Sequence, residues 1–115
     1  MELEVEGEEP AGRLLLRPRG AWDGADGAFA RDWRAACARA PHEVEVDCGT
    51  LELQGGVALA RFVDLVRELA GRGARRVVLR DAPQMLAHTL YKAGLLRGGE
   101  ILLAGGAEPD QPYAG

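Results

Sequence analysis

Few side chains in this sequence could carry nucleophilic or proton-transfer chemistry. It has no serine, two threonines (Thr50 and Thr89), two cysteines (Cys37 and Cys48) and two histidines (His42 and His88). Without serine no Ser-His-Asp set can form, and no Cys-His spacing stands out as a thiolate nucleophile with its base. The histidines are far apart with no third ligand in view, so they read as solvated or satisfied side chains, not metal ligands. The cysteines lack metal-ligand spacing and read as reduced thiols, with Cys48 a small core residue. Carboxylates abound, but none forms a distinctive acid–base pair. The expectation is a protein that is not an enzyme and uses no cofactor and no metal.

The richest stretch runs from Val44-Glu45-Val46-Asp47 through Cys48-Gly49-Thr50-Leu51-Glu52-Leu53-Gln54 to Gly55-Gly56-Val57-Ala58-Leu59. It reads as a strand, a turn and the start of a helix. A hydroxyl at such a helix start is exposed, and a phosphate on it adds roughly 1.5 to 2 negative charges. Backbone N–H groups and the positive end of the helix dipole can hold that phosphate. Here the helix start is Gly55-Gly56, which has no hydroxyl. The pair lacks the downstream lysine of a phosphate-binding loop and any Gly-x-Gly-x-x-Gly spacing. It reads as a tight turn or as bare backbone for a partner's close approach. Thr50 lies earlier in the loop, as a solvent-facing turn residue or a substitute phosphate acceptor.

Two other places have double readings. Trp22, in a glycine-rich loop, suits an interface anchor or a cap on the core. Asp23 suits a partner contact or the N-cap of the first helix. Arg72, Arg75, Arg76 and Arg80 form a basic cluster that suits a solvated strand end or an acidic partner.

The elements that must position these residues follow from periodicity. Leu3 and Val5, then Leu14 and Leu16, alternate with polar residues on either side of Glu8-Glu9-Pro10-Ala11-Gly12, which predicts a hairpin. The glutamates of the first ten residues suit an edge strand that charge protects from stray pairing. A helix over 25–40 follows, with Phe29, Trp33, Ala36, Cys37 and Ala40 on one face and Pro41 as its stop. Val44 and Val46 mark a short strand ending near Asp47. A second helix over 56–70 buries Leu59, Phe62, Val63, Val66, Leu69 and Ala70. Glu68 and Arg72 are spaced for an exposed pair, and Gly71 and Gly73 bracket the end. The run 75–80 has a continuous apolar centre, as in a strand covered on both sides. Pro83 opens a third helix with Met85, Leu86, Leu90 and Ala93 buried and Gly94 ending it. Ile101-Leu102-Leu103 is a last strand or a strapping segment, and 104–115 reads as a loose tail.

The expected order is β-β-α-β-α-β-α with a final β, an α/β fold. At 115 residues this is one domain, over 1–103. The formal charge of −4 argues against nucleic acid, which selects a basic stripe. No apolar run reaches the roughly 20 residues that span a bilayer. The acidic N-terminus is not a signal peptide, so the expected compartment is the cytoplasm.

Four segments resemble the STAS domain, the module named for sulfate transporters and anti-sigma factor antagonists. They are Leu16-Arg17-Pro18-Arg19-Gly20-Ala21-Trp22-Asp23, Val44-Glu45-Val46-Asp47 with Leu51 and Leu53, the helix from Leu59 to its terminal Gly73, and Pro83 through Leu90 with Gly94-Leu95. The resemblance covers roughly residues 3 to 103. It implies a mixed sheet with helices mainly on one face. It also implies a non-enzymatic protein–protein interaction module in bacterial-type transcription regulation. After the central strand the family often has Asp-Ser-x-Gly-Leu; counted from Asp47, those positions here are Gly55, Gly56, Val57, Ala58 and Leu59. Gly56 thus replaces the phosphorylatable serine. The implied binding face is Trp22, Asp23, Thr50, Gly55, Gly56 and Val57. The implied partner is a kinase-like anti-sigma factor; the family also includes small subunits of ABC-type lipid transporters, where the partner is an ATPase. The resemblance leaves room for a homodimer.

Overall fold

The computed structural model describes residues 1–8, 13–38, 43–71 and 76–106. The elements are β1 (Glu2–Glu8), β2 (Arg13–Trp22), α1 (Gly27–Ala38), β3 (Glu43–Asp47), β4 (Leu51–Leu53), α2 (Gly56–Ala70), β5 (Arg76–Arg80), α3 (Gln84–Lys92) and β6 (Ile101–Ala104). They build an α/β fold with one mixed six-stranded sheet and three helices. The order is β1-β2-β3-β5-β6, with β4 attached to β2. Among the described residues the β1–β2 pair alone is antiparallel; the other pairings are parallel.

The steps β2 to β3, β3 to β5 and β5 to β6 each cross one helix and move the same way across the sheet. Crossovers of one hand then put all three helices on one face. Burial follows that geometry. Leu14, Leu16, Val44, Val46, Val77, Leu79 and Ile101 point into a single core with Phe29, Trp33, Phe62, Val66, Leu86 and Leu90. Fully burying one such side chain is worth about 1.5–3 kcal/mol. Four aromatic rings, Trp22, Phe29, Trp33 and Phe62, pack with centroids 4.9 to 6.5 Å apart.

The other face is open and striped by charge. At alternate positions β1 carries Glu2, Glu4 and Glu6, β2 carries Arg13, Arg17 and Arg19, β3 carries Glu43, Glu45 and Asp47, and β5 carries Arg76 and Arg80. Neighbouring strands therefore present opposite charges, the favoured cross-strand pairing. Arg17 bridges Glu4 (3.2 Å) and Asp47 (3.1 Å), Arg13 meets Glu43 (3.5 Å) and Arg80 meets Glu45. Val78, half-buried between buried Val77 and Leu79, faces this side, so β5 is covered on one face and not on both.

Several expectations shift in detail. The segment Leu51-Glu52-Leu53, read as turn, is a strand. It pairs with the far half of β2, Gly20 against Leu51 through Trp22 against Leu53. Pro18 sits between the β3 and β4 ladders on β2. Its carbonyl accepts from the Thr50 hydroxyl at 3.4 Å. The N–H it lacks would point the same way, into that gap, so an inner strand tolerates the proline. α1 starts at Gly27, not Ala25, because Asp26 rather than Asp23 caps it. In α3 Ala87 is buried and Met85 half-buried, while Ala93 falls just past the end of the helix and is exposed. Ile101 to Leu103 form a strand, and Ala104 belongs to it. Ala40, Pro41, His42, Arg72, Gly73, Arg75, the 9–12 turn and 107–115 lie outside the described residues. Among the described residues no helix is long and apolar enough to cross a membrane.

Candidate functional site

Parallel strands all deliver their C-terminal ends to one pole, where α/β proteins place their binding loops. Here that pole collects residues 23–26 after β2, 48–50 after β3, 54–55 after β4, 81–83 after β5 and 105–106 after β6. Five of the six expected partner-binding residues lie on its surface.

The loop after β2 is built from two successive aspartate turns. Asp23 Oδ1 accepts from the Ala25 N–H at 2.8 Å, and Asp26 Oδ1 accepts from the Ala28 N–H at 3.0 Å. Short aspartate side chains favour such turns and N-caps. Asp23 is therefore a loop residue with an exposed carboxylate edge, and Asp26 is the N-cap of α1. Trp22 is 2% exposed. Its ring packs on Phe29 and its indole N–H donates to the Asp26 carbonyl at 3.3 Å. Of the two readings of Trp22, burial matches the core cap; the ring is not an exposed anchor, because β2 continues through it and places it on the helix face.

Thr50 is exposed and tied to β2. The Gly20 N–H donates to its carbonyl at 3.0 Å, besides its own long bond to Pro18. β4 then returns the chain to β2, with the Gln54 N–H donating to the Trp22 carbonyl at 2.9 Å. Gly55 turns into α2 with φ 95 and ψ 177 and no side-chain cap, a conformation open essentially to glycine alone. A β-carbon on Gly55 or Gly56 would meet nothing within 4 Å. Val57 is 61% exposed. Behind it, Gly24 (φ 89) approaches so closely that a β-carbon there would lie 3.1 Å from the Ala58 nitrogen and 3.2 Å from a Val57 methyl. The result is a ledge of exposed backbone, Gly55 and Gly56, with one exposed apolar side chain, Val57, buried Gly24 packed behind it and the exposed Asp23 next to Gly24 in the chain.

Deeper in the pole, Asp47 Oδ1 accepts from the Gly49 N–H at 3.0 Å and Oδ2 from Arg17 Nε at 3.1 Å. Asp81 has φ 53, and its N–H donates to the Ala104 carbonyl at 2.9 Å. Its carboxylate packs over Gly105, where a β-carbon would lie 2.7 Å from Oδ1. Cys48, next to Asp47 in the chain, is buried. Burial first, then the charges of Asp47 and Asp81, push its pKa up to about 12. That keeps it a thiol at neutral pH, the opposite of a reactive cysteine.

A cleft of about 470 Å³ opens between α1 and α2 beside Gly24, lined by Asp26, Arg34, Arg61 and Asp64 among others, with no hydroxyl or thiol in it. His88 lies on α3, half-buried. Among the described residues no three His, Cys, Asp or Glu side chains gather as a metal set.

Sequence reading missed Gly24, Asp26 and Asp81. The doubled Asp-Gly at 23–24 and 26–27 was the available signal for the first two. Nothing local marks Asp81, since its conformation depends on β6. No protein-family model matches the chain, and no curated protein matches it.

Proposed function

We propose that this chain is a STAS-like, non-enzymatic interaction module whose binding face is the ledge of Gly55, Gly56 and Val57, backed by buried Gly24 and flanked by Asp23 and Thr50. The observation that carries this reading is the exposed Val57 on glycine backbone at the start of α2. An apolar side chain left 61% in water gains from burial, and glycines let a partner's backbone come close. The fold class and the order of elements agree with the resemblance in the sequence. Within that reading the partner is a kinase-like anti-sigma factor in bacterial-type regulation in the cytoplasm. Gly56 offers no hydroxyl, so binding is governed by abundance and not by serine phosphorylation.

The test is capture from native lysate with the wild-type chain and with Val57→Arg as bait. A kinase-like anti-sigma factor retained by the first and lost by the second is the expected result. Retention of a transporter ATPase instead favours the lipid-transporter subunit reading. Equal retention by both baits removes the ledge as the binding face. Stoichiometric phosphate on Thr50 after incubation with the captured kinase and ATP overturns the switch-free version.

A further inference from the structure

The opposite pole of the sheet has its own feature. Between the end of α3 and the start of β6 lies a hollow of about 320 Å³, lined by Tyr91, Lys92, Leu96 and Arg97. Tyr91 is 48% exposed and Leu96 is half-buried. No carboxylate lines the hollow. Arg13, Arg17, Arg19, Arg34 and Arg80 each meet a carboxylate, whereas Lys92 and Arg97 have no acidic partner among the described residues. Lys92 is also the chain's only lysine.

Cations near a helix C-terminus ordinarily serve its free carbonyls and dipole. Here backbone donors already serve three of those carbonyls. Ala93 N–H reaches Thr89 O, Gly94 N–H reaches Tyr91 O and Leu95 N–H reaches Leu90 O, each at 3.0 Å. Gly94, at φ 74, makes the reversal. A β-carbon on Gly94 would lie 4.0 Å from Arg97 Cδ and Nε, so the Arg97 side chain lies along this turn beside the hollow. Among the described residues, therefore, neither cation is committed to an ion pair.

We infer that this hollow is a second docking site, which takes an acidic peptide segment of a partner protein. Two carboxylates would pair with Lys92 and Arg97 through charge-assisted hydrogen bonds. An apolar or aromatic side chain between them would pack on Tyr91 and Leu96. The hollow is concave and of side-chain size, unlike a seat for a flat bilayer. The chain's net charge of −4 repels an extended polyanion such as nucleic acid, while two local carboxylates feel mainly the two local cations. The site stands apart from the ledge, so a Val57 variant leaves it intact.

The experiment uses the full chain and an acetylated hexapeptide with two glutamates on each side of a leucine and a tyrosine. Amide NMR shifts should saturate around residues 91–97, and a carbodiimide should couple the peptide to Lys92 in preference to the Met1 amine. Lys92→Gln with Arg97→Gln should weaken binding by about tenfold or more, with an unchanged melting temperature because both residues are exposed. The glutamine version of the peptide should not bind. The site is refuted by no saturable shift at millimolar peptide, by equal binding of the glutamine peptide, or by full binding to the double variant. Phosphatidylserine vesicles that bind through the same two cations and displace the peptide would overturn the peptide in favour of a membrane.

Discussion

Gly24 and Ala58 touch backbone to backbone: a β-carbon on Gly24 would lie 3.1 Å from both the Cα and the nitrogen of Ala58. This contact joins the loop after β2 to the first turn of α2, and it sets the shape of the ledge. Gly24→Ala meets both a positive φ of 89 and an obstacle that cannot rotate away. Gly55→Ala meets a positive φ in open space. The Gly55 variant should lose about 1–3 kcal/mol, the range for one forced backbone conformation. The Gly24 variant should lose more, read by urea denaturation of the two side by side. Equal losses would mean the Gly24–Ala58 approach relaxes freely.

Gly56 has neither restriction. Nothing lies within 4 Å of its missing β-carbon, and it is the first residue of α2. Gly56→Asp puts a negative charge at the positive end of the helix, where it should stabilise by about 0.3–1 kcal/mol. The same charge would face the partner, so affinity should fall while stability rises. A calorimetric binding titration beside a thermal melt separates the two signs.

Glu4 latches the edge strand β1 to β2. Hydrogen bonds from Arg19 and then Arg17 hold its carboxyl below the ordinary value of 4.5. A depressed folded-state value means the latch contributes above the ordinary value and is lost as pH falls through the folded one. Carboxyl NMR should place the Glu4 midpoint below that of exposed glutamates, and high salt should move it back up. Glu4→Gln should flatten the stability profile in that acid window.

Cys48 responds at the other end of the pH scale. Its thiol is raised from 9.0 to about 12, so the folded state resists ionisation that the unfolded chain accepts. Stability from this group is complete below pH 9 and declines as pH rises toward 12. Native protein at pH 8 should resist iodoacetamide at both Cys37 and Cys48, which are buried. Unfolding in urea should expose both. Fast labelling of native Cys48 would contradict the geometry.

Much of the fold was legible because it rests on periodic burial. Phe29, Trp33 and Cys37 repeat at helical spacing, and Val44 and Val46 at strand spacing, so each element announces its own buried face. The α2 boundaries could be read directly, since Gly55 and Gly71 bracket an unbroken amphipathic run. β4 was not legible. Three residues carry almost no pattern, and Leu51 to Leu53 become a strand only because β2 extends past β3 and offers them a ladder. Trp22 had two readings in sequence for a related reason. Only the course of β2 decides which way its ring points.

The sequence alone determined where hydroxyls, thiols and charges occur, and therefore that Gly56 can take no phosphate, because these are properties of single side chains. It also determined the α/β order, because local periodicity depends on neighbours a few residues away. Tertiary structure decided which loops share a pole, that Gly24 reaches Ala58, and that Lys92 and Arg97 flank one hollow without an acid between them. Those relationships depend on the direction of crossovers and on strand register, which bring together residues far apart in the chain.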